Sequence, residues 1–180
     1  MKWEIDPVHS TIGFSVKHMM VATVRGRFGS VRGTIELDPA APEQARGEVV
    51  IDAASVDTNV LMRDNHLRSP DFFEAERHPH LTYHVTRVHR VSAGRFRVEG
   101  ALTIRGVTRP VTLDAELSDV FVDPKRGTRI GISATGWIDR TDFGLRWNQS
   151  LEAGGVLVGD RVRLEVEIAA VQAATAAAAA

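Results

Sequence analysis

The stretch Arg161-Val162-Arg163-Leu164-Glu165-Val166-Glu167-Ile168 alternates charged and branched apolar residues without a break. In an extended strand, a period of two places every apolar side chain of this stretch on one face and every charged side chain on the other. One buried and one solvated face is typical of antiparallel sheets. The chain is therefore expected to be built on such a sheet.

The same alternation recurs through most of the chain. It is found at residues 11–17, 31–38, 47–53, 80–86, 95–99 and 111–118. Glycine and proline residues separate these segments, as tight reversals of the backbone require. About seven to nine strands with few helical interruptions predict an all-β fold, either a closed barrel or a sandwich.

One region breaks the strand pattern. Between residues 59 and 76 the apolar spacing fits helical turns, and Ser69-Pro70-Asp71 has the order of an N-cap, a first-turn proline and an acid at the start of a second helix. The sequence thus predicts a short helical insertion near residues 59–76, lying across an opening of the barrel. Residues 140–155 form a second, less regular interruption and are expected to be another lip of that opening.

Composition excludes several function classes. The chain has 180 residues, which suits one domain at residues 1–170 followed by an Ala-rich tail at 171–180 that we expect to be flexible. A formal net charge of −1 offers no global field to attract nucleic acid, and the absence of cysteine excludes disulfides and thiol chemistry. No stretch is long and apolar enough to span a membrane.

Histidines invite a metal hypothesis, because His78, His80, His84 and His89 lie close together in sequence. On a strand, however, His80 and His84 would stand about 13 Å apart, too far to share one ion. We therefore expect no metal site and no cofactor, and a solvated strand face instead.

The segment Arg63-Asp64-Asn65-His66 is the strongest candidate for catalysis, since an acid near a histidine can orient or charge it. Residues two apart on a helix nevertheless face apart, which argues against a direct dyad. Asp64 could instead pair with Arg68 or cap a neighbouring turn. The alternatives are therefore an acid/base pair, a structural ion pair, or contacts to a ligand headgroup.

Apolar bulk gathers at the interruptions of the strand pattern. Met19-Met20-Val21 follow one strand, Phe72 and Phe73 lie in the predicted helical insertion, and Phe143, Leu145 and Trp147 alternate in the second lip. Methionine and phenylalanine line adaptable apolar cavities, although each of these residues alone is more often part of an ordinary core. Together they favour a barrel whose interior its own side chains do not fill.

Five motifs in register resemble the YceI-like family across residues 3–170. They are Asp6-Pro7-Val8-His9-Ser10 running into Phe14-Ser15-Val16-Lys17-His18, then Val24-Arg25-Gly26-Arg27-Phe28, residues 63–73, residues 100–111 and residues 140–145. The resemblance implies an extended, lipocalin-like antiparallel β-barrel of about eight strands that holds a polyprenyl or quinone chain in a hydrophobic tunnel. It also implies a homodimer in at least some members. The start of the chain resembles the branch without a signal peptide, so we expect a cytoplasmic protein.

The resemblance and the apolar residues together define a candidate site. The candidate tunnel wall consists of Phe14, Val16, Met20, Phe72, Phe73, Phe143 and Trp147. The candidate headgroup contacts are His18, Arg63, Asp64, His66 and Arg140. Arginines suit a polyprenyl phosphate, whereas a quinone needs one or two hydrogen-bond donors such as histidine.

The leading hypothesis is a non-enzymatic carrier, store or buffer for an isoprenoid lipid, with that lipid as its hydrophobic partner. The alternatives are an enzyme acting on such a lipid with Asp64 and His66 as acid and base, and a lipid-free interaction module.

Overall fold

The computed structural model describes residues 1–174 as a strand-rich fold with one α-helix. The strands are β1 (Lys2–Ile5), β2 (Thr11–His18), β3 (Ala22–Phe28), β4 (Val31–Glu36), β5 (Arg46–Asp52), β6 (Val56–Asp57), β7 (His80–Ser92), β8 (Arg95–Ile104), β9 (Val107–Leu117), β10 (Phe121–Asp123), β11 (Gly127–Asp139) and β12 (Val158–Gln172). The helix α1 spans Leu61–Arg68, and 3₁₀ turns occupy Pro42–Gln44, Ala53–Ser55 and Arg140–Phe143.

Three pairs of consecutive strands each act as one kinked strand. The first kinked strand is β1/β2, and both of its parts pair with β12. The second is β3/β4, in which β4 pairs with β1 and β3 pairs with β2. The third is β5/β6, in which β5 pairs with β4 and β6 pairs with β3. Counted this way, eight antiparallel positions run from β12 through β1/β2, β3/β4, β5/β6, β7, β8 and β9 to β11, which pairs with β12 again. The structure thus confirms the closed barrel and excludes the sandwich.

The inner face follows the alternation seen in the sequence. Val162, Leu164, Val166 and Ile168 of β12 line the interior of the barrel, whereas Arg161 is exposed. At 15 residues, β12 is about 50 Å long. The barrel is therefore elongated and has room for an extended interior.

Only the first of the two predicted helices forms. The prediction of a second helix at Ser69-Pro70-Asp71 is wrong, because the chain turns back on the end of α1 instead. The amides of Phe73 and Ala75 donate to the carbonyls of Leu67 and Arg68 at 2.9 and 3.0 Å. This reversal directs the chain back across one end of the barrel.

The last strand enters the segment predicted to be a flexible tail. β12 continues to Gln172, where it pairs with Trp3 of β1, and the amide of Ala173 donates to the carbonyl of Lys2 at 2.9 Å. Residues 175–180 of the predicted tail lie outside the described residues.

A partly exposed carboxylate fastens the kink between β1 and β2. One oxygen of Asp6 lies 2.9 Å from Nη1 of Arg129 and 2.8 Å from Nδ1 of His9. These hydrogen bonds, that of Arg129 first, hold the pKa of Asp6 well below its ordinary value. The ion pair with Arg129 ties the kink to β11 on the far side of β12.

Replacing Asp6 by Asn should lower the free energy of unfolding by about 1–2 kcal/mol at pH 7, because the charge-assisted bonds are weakened. Because the carboxyl pKa of Asp6 is lower in the folded than in the unfolded protein, ionised Asp6 stabilises the fold above pH 3.8, the unfolded pKa value. This stabilisation is lost as the pH falls further. The difference between wild type and Asp6→Asn in urea unfolding should therefore be full at pH 7 and shrink below about pH 4. A pH-independent difference would contradict this.

Candidate ligand-binding cavity

The barrel encloses a cavity of about 260 Å³ that almost every strand helps to line. It reaches from Phe72 and Arg140, beside α1, to Arg46 and Glu116 at the other end. We call the end with α1, the β2–β3 turn and residues 140–157 the helix end. The end with residues 37–45 and 118–127 is called the opposite end. The cavity runs along the barrel between them.

The cavity wall is almost wholly apolar. Small side chains create part of the space, since Ala115 of β9 and Ala134 of β11 are direct cross-strand partners and both face the interior. Larger side chains at these two positions would take up space in the cavity. The interior is thus an incompletely packed core that remains continuous and apolar.

Tyr83 is a polar residue in this wall, and its hydroxyl is fully engaged. The ring packs over Gly100, where a β-carbon would overlap it. The hydroxyl lies 3.0 Å from the carbonyl oxygen of Val111 and 3.2 Å from that of Val98, so it donates within the sheet. Burial raises the pKa of Tyr83, so the phenol stays neutral. Tyr83 therefore presents its ring to the cavity.

Arg140 lies at the helix end, is only 5% exposed, and has no donor left for a ligand. A guanidinium carries five N–H donors. Here five hydrogen bonds reach the carbonyls of Leu145, Trp147, Val158 and Gly159 and the carboxylate of Asp160, at 2.6–3.3 Å. Arg140 thus fastens the second lip to the start of β12, and burial lowers the pKa of its guanidinium.

Four of the seven predicted wall residues line the cavity: Phe14, Val16, Phe72 and Phe73. The other three predicted wall residues lie outside it. Phe143 is buried in the second lip, Trp147 packs on the outer side of Phe72 at 5.6 Å between ring centroids, and Met20 is exposed at the tip of the β2–β3 turn.

Phe28 is a wall residue that was not among the predicted candidates. Its ring lies 5.7 Å from that of Phe14 and 5.6 Å from that of Phe73, which joins two predicted wall residues into one aromatic cluster. Phe14 also covers Gly26, where a β-carbon would overlap the ring. Phe28 closes the alternation in β3, and this pattern was the signal that could have found it.

The turn that carries Met20 has an unfavourable backbone. Met19 and Met20 have φ angles of 51° and 62°, and the amide of Val21 donates to the carbonyl of His18 at 3.2 Å. Tight turns with positive φ at both central positions normally contain Asn-Gly. For residues with a β-carbon this conformation costs about 1–2 kcal/mol each. Yet the two methionines are 50% and 67% exposed.

Arg63 and Asp64 meet at Thr58. One oxygen of Asp64 accepts from the amide and hydroxyl of Thr58 at 2.8 and 2.6 Å, while Arg63 donates to the hydroxyl and carbonyl of the same residue at 2.8 and 3.0 Å. Asp64 is buried. This network holds the start of α1 in place, which agrees with the expectation that Asp64 could cap a neighbouring turn.

His66 does not pair with Asp64. Its Nε2 lies 2.8 Å from a carboxylate oxygen of Asp71, and its ring stands edge-on to Trp147 and Phe72 with centroids 4.5 and 5.1 Å apart. His66 therefore belongs to an aromatic cluster over the helix end. The remaining candidate, His18, ends β2 opposite Val158.

The histidines considered for a metal site each face a single carboxylate. His78 pairs with Glu74, His80 with Asp52, His84 with Glu48 and His89 with Glu99, at N···O distances of 3.2–3.8 Å. Within residues 1–174, no cluster of three or more metal-binding side chains is present. The same residues contain no helix with the length and apolar character needed to cross a bilayer.

Residues 3–170 match the family of YceI-like domains. The chain belongs to the YceI-like family. It is 36% identical to a UPF0312 protein of Staphylococcus aureus strain MSSA476 over 161 residues, which are 89% of this chain and 91% of the relative. It is 37% identical to a UPF0312 protein of Staphylococcus epidermidis over 165 residues, which are 91% and 94% of the two chains. The resemblance in the sequence motifs is thus confirmed.

Solved structures share the fold of this YceI-like chain. The Campylobacter jejuni YceI protein is 31% identical with a TM-score of 0.76, covering 88% of this chain and 90% of its own. BcnA of Burkholderia cenocepacia has a TM-score of 0.80 at 21% identity, with 92% and 98% coverage. A polyisoprenoid binding domain from Saccharophagus degradans has a TM-score of 0.66 at 17% identity, with 95% and 98% coverage.

Replacing Arg140 by Met in this YceI-like barrel should lower the free energy of unfolding by about 3 kcal/mol or more, because buried carbonyls and Asp160 lose their partner. Urea unfolding checks the change. The control is Arg146→Met, an equal substitution at an exposed position of the same lip. Equal stability of the two variants would refute the anchoring role of Arg140.

Proposed function

We propose that this protein binds a long-chain isoprenoid lipid, of the polyprenyl phosphate or isoprenoid quinone type, and acts as its carrier, store or buffer. The observation that carries the proposal is the apolar cavity along the elongated barrel. The name of the Saccharophagus degradans domain, which shares this fold, supports the isoprenoid class.

The chemistry of the wall favours a hydrocarbon chain as the ligand. Tyr83 and Arg140 direct their donors to backbone carbonyls and Asp160, so a small polar molecule would find few partners. A chain ligand instead gains about 0.8 kcal/mol for each buried CH₂ group, and several isoprene units are enough for tight binding. Affinity is therefore expected to grow with chain length.

A quinone headgroup suits the helix end better than a pyrophosphate. A pyrophosphate needs several strong hydrogen-bond donors. All donors of Arg140, however, are hydrogen-bonded within the protein, and Arg63 donates to Thr58. His18 and His66 lie at the same end. A headgroup that needs only one or two hydrogen bonds therefore fits the chemistry of these side chains.

Catalysis by Asp64 and His66 finds no support in the geometry. Asp64 is buried against Thr58, and His66 pairs with Asp71. A general acid and base working together would both have to reach the reacting groups of one substrate. Binding without chemistry is therefore the function that we propose.

The proposal includes the dimeric state and the cytoplasmic location that the family resemblance implies. In support of a dimer, β10 lies at one end of the sheet order and exposes Phe121 and Val122. An open edge with apolar side chains is a natural site for pairing with a second chain. Light scattering during gel filtration should give twice the monomer mass, and Phe121→Ser should shift it towards the monomer.

Protein purified under native conditions from its host should release a prenyl lipid into organic solvent, as measured by mass spectrometry. Replacing Ala115 by Phe should lower the lipid content about tenfold, since the ring takes the space of at least two buried CH₂ groups. The variant should remain folded because the ring enters existing space rather than packed core.

Ala101→Phe is the matched control, because Ala101 lies between inward-facing Gly100 and Leu102 on β8 and so points outwards. This variant should keep its lipid. Wild-type protein that yields no prenyl lipid, or equal lipid content in the two variants, would contradict binding in the cavity.

A further inference from the structure

Exposed apolar side chains gather at the helix end. We define the apolar rim as Met19, Met20, Val21, Leu61, Met62 and Val156, all of which are exposed. They belong to three segments, residues 18–22, 59–62 and 153–158, that contain no charged residue. Exposed apolar patches of this kind mark interaction sites.

Contacts along the helix end join two segments of the rim and link the second lip to α1, which carries Leu61 and Met62. The amide of Met19 donates to the carbonyl of Leu157 at 2.8 Å, and the Met20 side chain packs over Gly155. Trp147, farther along the same lip, contacts His66 of α1. The rim is thus part of one continuous structure beside the end of the cavity.

Backbone strain indicates that the methionines are present for a reason other than stability. Met19 and Met20 occupy the two positive-φ positions of a turn that Asn-Gly would form without strain. Strain of this kind persists at sites that contact ligands or partners. Here it projects two flexible apolar side chains outwards from the barrel.

The opposite end has different chemistry in its loops. Residues 37–45 and 118–127 carry the charged side chains of Asp38, Glu43, Asp119, Asp123, Lys125 and Arg126. The loops of the opposite end thus carry charged side chains beside the exposed Phe121 and Val122, whereas the three rim segments carry none.

Cationic side chains stand behind the rim on the outer face of the barrel. Lys17, Arg25 and Arg161 are exposed, and none of the ion pairs found within residues 1–174 involves them. Arg161 stacks on the exposed ring of Trp137 at 4.3 Å. Basic side chains and an amphipathic tryptophan next to an apolar surface match the phosphates and the interface of an anionic bilayer.

We propose that the apolar rim docks this protein onto the surface of a lipid bilayer containing anionic lipid, so that the hydrophobic ligand passes between bilayer and cavity at the helix end. The rim enters the boundary between headgroups and acyl chains, while Lys17, Arg25 and Arg161 contact the phosphates. This inference rests on the proposed function, because a lipid ligand resides in a bilayer.

Flotation of the full chain with vesicles tests the proposal. Wild-type protein should float with vesicles of phosphatidylcholine and phosphatidylglycerol, less with phosphatidylcholine alone, and less again at high salt. Met19→Asn/Met20→Gly should lower the bound fraction about tenfold, since two apolar side chains are lost. The same variant should melt about 2–4 °C higher or more, because the turn is relaxed.

Two further variants separate apolar contact from turn geometry. Met62→Gln removes apolar character from an 82% exposed helical position without changing the turn, and it should also weaken flotation. Val91→Thr makes a similar change at the 61% exposed Val91 near the opposite end, and it should float like wild type.

Failure of the inference and failure of the proposed function give different results. A wild-type protein that carries prenyl lipid but does not float would overturn membrane docking and leave lipid binding intact. Unchanged flotation of Met19→Asn/Met20→Gly, or equal loss in Val91→Thr, would also overturn it. A protein without lipid would count against the proposed function, whatever its flotation.

Discussion

The pairing of β11 with β12 is the constraint on which the rest of the structure depends. Eleven consecutive residue pairs, from Arg129 with Val171 to Asp139 with Arg161, close the sheet into a barrel. Closure removes the two free edges that an open sheet would expose along these strands. It also determines which face of every strand surrounds the interior, and hence which side chains form the cavity. Asp6 reinforces this seam, because it joins the kink of the first strand to Arg129 across β12.

A closed wall alone would not make an apolar cavity, since a barrel interior can also be polar. Here the polar side chains of the wall are turned against the backbone. Tyr83 donates to carbonyls of the sheet, and Arg140 saturates the carbonyls of an irregular lip that no strand ladder pairs. An unmade hydrogen bond inside the barrel would cost more than either contact gains, so these residues protect the fold. The interior is thus apolar because the Tyr83 hydroxyl and the Arg140 guanidinium are bonded within the protein, and neither group is available to a ligand.

The sequence predicts the strands well where alternation is unbroken and poorly where small residues dilute it. The alternation does not reveal β11, because Ala134 and Gly136 dilute its apolar face, yet Gly136 is needed where Leu113 packs closely. The same limit applies to the site. Phe14, Val16, Phe72 and Phe73 follow from pattern and motif, but Met20 and Trp147 lie outside the cavity, because turn geometry and long-range hydrogen bonds direct them. The saturation of Arg140 is equally non-local: its partners on the lip and β12 lie up to 20 residues away.

At the helix end, the strand pairing of the closed barrel is linked to the exposure of Met19 and Met20. Seven consecutive residue pairs hold β2 against β3, from Ile12 with Phe28 to His18 with Ala22, so the register leaves only Met19, Met20 and Val21 to connect the strands. Within this connection the amide of Val21 donates to the carbonyl of His18, and the tight turn closed by that hydrogen bond has positive φ at both central residues, Met19 and Met20. The ladder therefore holds both methionines outwards, beyond the reach of the barrel interior. Because β2 also pairs with β12, the ladder that presents these side chains adjoins the strand that closes the barrel.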